Sequence, residues 1–411
     1  MSRNSLHHDE GGRISIFFVF SAIAFIFLIA LIYNTAHQSI RKIEMQGAAD
    51  AAAIAGGTQA GRDLNDIANN NNTMSELLTV MIVFRSLLQT VEVMRDEVYL
   101  AGTIAAISIV GAEAAPPLFQ VGKALDSVAK VMRQIDTALS DQSRGAGWIA
   151  MKLLDDLNVG IKLDFPFWAE KETGDFAKRN GADRGLHGVL IPRESPGIDL
   201  LPSLPLARGR ETEILDRAED TYLGLVQPLP APLAIAGAIL LPTNPLTVFL
   251  TLVEYNKANL RGSKVTEAIS TFGNFLTTEP LDWPQNPPKP MLLTDQPSLD
   301  PAATMDVKES AADLSKVRKY LQYLAIATGK MSKGSKIGGE KFLNVAPYQS
   351  LAYAEADVYN PTKWSMFEQN WHVKLAPSVV LTERFTDIVG VLGIKGGAAR
   401  SINGLAFANN H

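Results

Sequence analysis

The clearest feature of the hydrophobic pattern is an uncharged apolar run over residues 14–33, followed by Arg41 and Lys42. A run of about 20 apolar residues crosses the bilayer hydrocarbon as a helix, whereas the core of a cleavable signal has roughly 7–15 residues. No small-residue cleavage site follows the run. We therefore predict an uncleaved, single-pass transmembrane anchor, with residues 1–13 as a cytoplasmic tail and the body on the other side of the membrane.

The spacing of apolar and small residues stays helical beyond the anchor. The positions that recur three or four residues apart are Ile40, Ile43, Gly47, Ala51, Ile54 and Ala55. This spacing predicts that the anchor helix continues to about residue 57, where Gly56-Gly57 and Gly61 supply stop signals. A helix from residue 14 to residue 57 is roughly 65 Å long at 1.5 Å per residue.

The stretch from Gln46 to Gly57 consists mostly of small residues. A helix face without bulky side chains can approach another backbone closely. We predict a helix-packing interface made by Gly47, Ala48, Ala51, Ala52, Ala55 and Gly56. Two interpretations remain open: the face packs on a second helix of the same chain, or on copies or relatives of the chain in an assembly.

The segments that follow are also predicted to be helical. Residues 69–72 form a predicted loop of four asparagines, and residues 73–76 match a capping box that opens a new helix. The apolar stripe of that helix comprises Leu77, Leu78, Met81, Phe84, Leu87, Leu88, Val91 and Met94. A second amphipathic helix over residues 118–139 is expected to face inward with Val121, Leu125, Val128, Val131, Met132 and Ile135.

The pattern is weaker in the middle of the chain. From residue 145 to residue 207, Gly and Pro predict long loops laid over helices, and residues 210–220 form a charged helix. Residues 221–253 carry no charge, but prolines interrupt them, which favours a buried hairpin or a surface resting on the membrane or a partner over a second span. The remaining predicted elements are helices over residues 245–260, 264–276 and 302–328, a flexible connector over 329–341, and short strands after it.

The predicted fold class is mainly α, with the anchor continuing into a long helix outside the membrane, a helical body with irregular loops and a small mixed C-terminal region. A chain of 411 residues is long enough for two or three domains. The predicted divisions are a tail (1–13), an anchor (14–33), a helical module (34–144), a loop-rich helical middle region (145–335) and a C-terminal region with short strands or extended segments (336–411).

Composition excludes several classes of protein. The net charge is -5, and 38 Lys and Arg residues are outnumbered by 43 Asp and Glu residues, so no nucleic-acid surface is predicted. The chain has no Cys, which excludes disulfides, thiolate catalysis and Cys-based metal sites.

Residues that could carry catalysis are scattered. His187 lies near Asp183 but lacks the spacing of a metal site. The paired acids are Asp155 with Asp156, Glu211 with Glu213, and Glu219 with Asp220. Acids on helix surfaces are more often solvated than engaged in acid–base catalysis. We predict no catalytic, cofactor-binding or metal site, and no enzymatic activity.

The anchor and the alanine-rich stretch resemble a known family. A long N-terminal anchor, a basic pair and the string Ile43-x-x-Gln46-x-Ala48-Ala49-Asp50-Ala51-Ala52-Ala53-x-Ala55-Gly56 resemble the N-terminal module of the TadE/TadG-like proteins of Flp (tight-adherence) pilus assembly. The resemblance covers about residues 12–61. The string from residue 354 to residue 361, with Trp371 after it, is similar to the distal part of long proteins that carry this module.

The resemblance implies an inner-membrane anchor, a periplasmic body and a minor pilin-like or assembly role in a fimbrial and secretion machine. Processed members carry a Glu at the fifth position of the mature apolar helix. Here Gly12 is followed by an acid-free run, and Glu10 precedes it. The chain is therefore more similar to the unprocessed, TadG-like branch.

We predict a membrane-anchored structural or assembly component of a Flp-type pilus or related secretion system, which acts by helix packing and subunit association. Its predicted partners are membrane lipid, through residues 14–33, and other subunits, without nucleic acid, cofactor or small-molecule substrate. The alternative is a membrane-anchored periplasmic enzyme or ligand-binding protein, which needs polar groups that converge in a deep pocket. A third interpretation is an envelope protein that shares the module but makes no pilus.

Overall fold

The computed structural model describes residues 10–108, 111–191, 203–223, 244–261, 287–294, 320–330 and 349–376. Within these ranges the protein is mostly helical and carries a four-stranded and a two-stranded sheet. The predicted mainly α fold class is confirmed. The predicted helix over 264–276 and most of the uncharged segment over 221–253 lie outside the described residues.

Helix α1 (Glu10–Ile107) is a single helix of 98 residues, about 150 Å long at 1.5 Å per residue. It contains the apolar run, the small-residue stretch and the four consecutive asparagines without a break. The predicted stop at residues 56–61, the predicted loop at residues 69–72 and the predicted helix start at residues 73–76 are therefore wrong. The asparagine amides bond to other segments and so do not compete with the backbone hydrogen bonds of α1.

A second helical arm runs antiparallel to α1. After a 3₁₀ turn (Ala112–Ala114) come α2 (Ala115–Ser140) and α3 (Ala146–Arg179). The Tyr99 and Phe119 rings lie 6.3 Å apart near the start of this arm. Farther along the arm, Asn158 accepts a hydrogen bond of 2.8 Å from Asn70.

The helix predicted over residues 118–139 is confirmed as α2. The loops predicted from residue 145 are wrong for α3, which is helical to Arg179. The buried face of α3 includes the polar residues Asp155, Asn158 and Thr173, whereas the apolar residues Leu153, Leu157 and Leu163 are exposed. The apolar residues of α3 therefore do not form the single inward stripe that marks an amphipathic helix.

The face of α2 that meets α1 is not the predicted one. The buried residues are Ala115, Gly122, Ala129 and Asp136, whereas the exposed apolar residues are Val121, Val128, Val131 and Ile135. Leu125 and Met132 are half-buried. The inward prediction is therefore wrong for the four exposed residues. Gly122 lies so close to α1 that a Cβ there would be 2.9 Å from the Tyr99 ring.

Six strands are described. They are β1 (Arg184–Ile191), β2 (Leu206–Arg208), β3 (Met291–Leu293), β4 (Tyr320–Lys330), β5 (Gln349–Tyr359) and β6 (His372–Ala376). The larger sheet has the order β1-β4-β5-β6 with antiparallel neighbours, and β2 pairs with β3. β4 and β5 pair along their whole length, from Tyr320 opposite Tyr359 to Lys330 opposite Gln349.

The strand content of the C-terminal region is confirmed, but the helix predicted over residues 302–328 is wrong from Tyr320 onward. Residues 302–319 lie outside the described residues. The segment 323–327 is buried at every position, and a continuous apolar run does not distinguish a buried strand from a buried helix.

Two short helices confirm the predictions made for them. α4 (Glu211–Ala218) continues into a π turn (Glu219–Leu223), and α5 (Pro245–Leu260) begins after Asn244, whose side-chain oxygen accepts a hydrogen bond of 3.1 Å from the Leu246 N–H. Proline in the first turn and asparagine at the N-cap are typical helix starts. Both helices pack against α1 beyond the large sheet.

Candidate functional site: the exposed and buried faces of α1

The first part of α1 stands outside the body of the protein. Among the described residues, α1 is the helix that is long and apolar enough to cross a membrane, and its most apolar window has a mean hydropathy of 2.4 and is 0% buried. Phe17, Phe20 and Phe25 are 72%, 68% and 66% exposed. A contiguous apolar surface of this size marks contact with a membrane or a partner, so this segment fits a single-pass membrane anchor.

The small-residue stretch of α1 packs on the large sheet of its own chain. The alanines with no exposed surface there are Ala48, Ala49, Ala52 and Ala53, which share one core with β4 and β5. The Tyr323 ring of β4 occupies the space where a Cβ on Gly56 would stand, and a Cβ on Gly57 would lie 3.0 Å from Val373 Cγ1. The sheet therefore approaches the α1 backbone to a distance that only very small residues allow.

Tyr323 connects three elements at this contact. Its ring is fully buried against α1, and its hydroxyl lies 2.8 Å from Thr173 Oγ1 of α3 and donates to the Ala169 carbonyl at 3.4 Å. A buried tyrosine usually needs a polar partner for its hydroxyl, and α3 supplies it. Tyr323 thus fixes the sheet to both long helices.

The structure divides the six residues of the predicted interface. Ala48, Ala52 and Gly56 are buried under the sheet, whereas Ala51 and Ala55 are half-buried at its edge. Gly47 is exposed, and a Cβ there would have no atom within 4 Å. The buried part of the face thus meets a sheet rather than a second helix. Association of the face with other subunits stays a prediction.

Three large apolar residues share the exposed side of α1 with Gly47. Ile40, Ile43 and Ile54 are 53%, 71% and 42% exposed. Together with Gly47 they are separated by three, four and seven residues, which places all four on one side of the helix. We call Ile40, Ile43, Gly47 and Ile54 the exposed stripe of α1. It continues the apolar surface of the anchor toward the body.

Sequence reasoning missed the role of the asparagines in α1. Asn65, Asn69 and Asn72 lie on one side of the helix and bond to the segment that precedes β6. Asn65 pairs with both backbone groups of Trp371, at 2.9 and 3.2 Å, and Asn72 donates to the Phe367 carbonyl at 2.8 Å. The four- and three-residue spacing of these asparagines was the available signal, because it is helical.

Asn70 and Asn71 turn toward the other side of α1. Asn71 is fully buried and donates to the carbonyls of Met291 (2.8 Å) and Met366 (3.0 Å). Its oxygen accepts from Asn158 (3.1 Å) and from the Met291 N–H (3.3 Å). One side chain therefore joins α1, α3, β3 and the segment before β6.

Between the small-residue stretch and the asparagines lies a buried carboxyl. Asp63 is 8% exposed, and its Oδ1 accepts a hydrogen bond of 2.9 Å from Gln59. Burial, followed by the charge of Asp66, raises the pKa of Asp63 to about 7, although Gln59 and then Arg62 lower it. A small further increase comes from Asp164. A fraction of the Asp63 carboxyls is therefore protonated at neutral pH.

A polar cleft of about 670 Å³ lies beside α3 and β2. Its lining includes Trp148, Lys152, Asp155, Asp156, Arg208 and Lys289, so one of the acid pairs noted in the sequence does face a cavity. Burial raises the pKa of Asp155, but Arg208, at 3.2 Å from its Oδ2, opposes that increase. Among the described residues no three His, Asp or Glu form a group that could hold a metal ion.

The other acid pairs have structural partners. Glu213 accepts a hydrogen bond from the Arg210 N–H at the start of α4. Glu219 lies 3.0 Å from Lys257 Nζ and also pairs with Arg261. The Glu219 contacts connect the π turn to α5 and its C-cap, whereas the Glu213 contact stabilises the first turn of α4.

The helix that carries the exposed apolar run thus also supplies a large part of the core. Residues 12–60 match a family model described as Flp pilus-assembly TadE/G-like. The match confirms the resemblance of the N-terminal module and supports a pilus-related role. It spans the apolar run, the exposed stripe and the whole small-residue stretch. No curated protein and no solved structure matches the chain.

Proposed function

We propose that this chain is a structural or assembly component, minor pilin-like, of a Flp-type pilus or related secretion system. In this proposal α1 is held in the inner membrane with its N-terminus in the cytoplasm, and the body lies in the periplasm. The chain acts by association with lipid and with other subunits, and not as an enzyme.

One observation carries the proposal: the residues that match the pilus-assembly family form both the anchor and the helix on which the body is built. α1 passes from the apolar run into the core without a loop. A hinge at the membrane surface would let the body rotate freely, whereas a continuous helix transmits the position of the anchor to the body. Such coupling suits a subunit that must hold other subunits in register.

The exposed stripe of α1 is the part of the family-matched module that remains available to other subunits. Ala48, Ala52 and Gly56 are already covered by the chain's own sheet. The stripe presents three isoleucines around Gly47, which combines apolar area with a position where a partner backbone can approach closely. We infer that it docks on helices of partner subunits.

The test is recovery of partner subunits from membranes with Gly47→Leu. A Cβ on Gly47 would have no atom of the described residues within 4 Å, so the variant should fold and insert normally while a partner helix is pushed away. We expect at least a tenfold loss of co-purified pilus or secretion subunits. The matched control is Gly160→Leu in α3, since a Cβ there also meets no atom within 4 Å.

Equal recovery of partners with Gly47→Leu and with the wild-type chain would overturn the docking surface. The pilus itself is tested separately by deleting the chain and counting surface pili. Normal pili in the deletion strain would instead support an envelope protein that shares the module alone.

A further inference from the structure

The exposed side of α2 carries a regular apolar pattern that is not covered by the residues described in the structure. Val121, Val128, Val131 and Ile135 are 50%, 48%, 57% and 40% exposed. The side of α2 that meets α1 is instead built from Gly122, Ala129 and Asp136. No contact within the described part of the chain explains why these four β-branched side chains are exposed to solvent.

The pattern is a heptad seam. The exposed residues Val121, Val128 and Ile135 recur every seven residues, and Ala124, Val131 and Ala138 lie three residues after each of them. Alternating steps of three and four residues keep one seam facing a partner helix only if the two helices wind around each other in a left-handed coiled coil. We call these six residues the α2 seam.

The flanks of the seam lack charge. The three positions on the side away from α1 are Gln120, Ser127 and Gln134, and the three toward α1 are Leu125, Met132 and Leu139. Two of the charged residues of α2 are engaged elsewhere, since Asp126 pairs with Arg95 at 3.5 Å and Arg133 pairs with Glu92 of α1. Two identical seams can therefore meet without like charges facing each other. Charged flanks would instead favour a partner of opposite charge.

We propose that the α2 seam pairs with the α2 seam of a second copy of this chain, in parallel and in register. The direction of pairing rests on the membrane anchoring in the proposed function. Two copies anchored in one membrane by the same helix can be related by a two-fold axis only if that axis runs along the membrane normal. Because α2 runs beside α1, the two seams are then parallel, and β-branched residues such as Val121, Val128 and Ile135 suit parallel two-stranded pairing.

The absence of Cys makes this pairing directly measurable in the full chain. We would place single cysteines at Val121→Cys, Val128→Cys and Ile135→Cys and oxidise native membranes with copper phenanthroline. Disulfides need Cα atoms within about 7 Å, so all three seam variants should give a band at twice the 44.5 kDa mass of the monomer. The matched control is Lys130→Cys, an exposed position on α2 outside the seam.

Each other result would overturn the proposal. A dimer at Val128→Cys without one at Val121→Cys and Ile135→Cys indicates antiparallel pairing. No dimer at any seam position, or a cross-link to a protein of another mass, indicates that another segment of this chain or a different subunit covers the seam. An equal yield of disulfide-linked dimer from Lys130→Cys indicates that the chains cross-link by random collision and not through the seam.

A second measurement separates this inference from the proposed function. Val131→Glu should abolish the disulfide of Val128→Cys while membrane insertion stays unchanged, because Val131 is 57% exposed. Strong seam disulfides in cells whose pili do not depend on the chain would disprove the pilus role and leave the dimer standing. Weak seam disulfides in cells where partner subunits are still recovered would disprove the dimer and leave the pilus role standing.

Discussion

Two neighbouring stretches of α1 hold the body by opposite means. From residue 48 to residue 57 the helix turns only alanines and glycines toward the sheet, and the sheet fills the space with Tyr323 and Val373. From residue 65 to residue 72 the helix contributes five asparagines, whose side chains bond to the backbone of other segments, to Asn158 or to Gln369. The first contact depends on shape and apolar burial, and the second on the direction of hydrogen bonds.

The two stretches should therefore tolerate different kinds of substitution. A close-packed contact is sensitive to added volume, whereas a buried amide network is sensitive to lost partners, since each unsatisfied group keeps its desolvation cost. Substitutions that add bulk to one stretch and remove amides from the other should therefore separate the two contacts.

The largest effect is expected for Gly56→Leu. The new side chain would have to occupy the space of the fully buried Tyr323 ring, so we expect a loss of about 3 kcal/mol or more in unfolding free energy, at the upper end of overpacking costs. Thermal unfolding of the purified protein in detergent measures it. Gly47→Leu is the matched control and should stay within about 0.5 kcal/mol of wild type. Similar melting temperatures for the two variants would contradict the claim that the close contact between α1 and the sheet limits side-chain volume at residue 56.

Asn71→Ala should be the next most damaging change. It removes four hydrogen bonds from a buried position and leaves the Met291 N–H and two carbonyls without Asn71, which we expect to cost about 2–4 kcal/mol. Hydrogen exchange of the peptide over residues 287–294 should accelerate.

The control for that change is Asn69→Ala, at an exposed position bonded to Gln369. It should cost no more than about 0.5 kcal/mol. An Asn71→Ala variant as stable as Asn69→Ala would mean that the amide network does not stabilise the body.

Asp63 lies between the two stretches and makes their junction sensitive to pH. Its pKa is raised from 3.8 to about 7, so between these values the folded state binds a proton that the unfolded state has released. Stability should therefore fall as pH rises from about 4 to 7, by at most about 1.4 kcal/mol per pH unit, and stay level above 7.

Asp63→Asn tests this assignment by removing the titration. The variant should match wild type near pH 4 and be more stable at pH 8, as measured by chemical denaturation at both pH values. Asp66→Asn should reproduce part of the effect, because the charge of Asp66 contributes to the raised pKa of Asp63. A wild-type stability that is flat from pH 4 to 7 contradicts the assignment.

Several elements were predictable because their signals are local. The anchor follows from the length of its apolar run, and α5 follows from the Asn244-Pro245 start. The helical nature of residues 34–107 also follows from spacing, although its continuity does not. Gly56-Gly57 and the asparagines weaken a helix by about 1 kcal/mol each or less, and the contacts with the sheet and with α3 outweigh that preference.

The sequence by itself determined that this protein has an apolar anchor, that its body is mostly helical, and which residues share each helix face. Only the tertiary structure decided what each face meets: most of the small residues of α1 lie under a sheet, the asparagines of α1 bond to distant segments from within a continuous helix, and the valines of α2 are exposed. The physical reason is that periodicity records which side chains lie on one side of a helix. The free energy of burial depends on the segment that covers that side, and that segment comes from far along the chain.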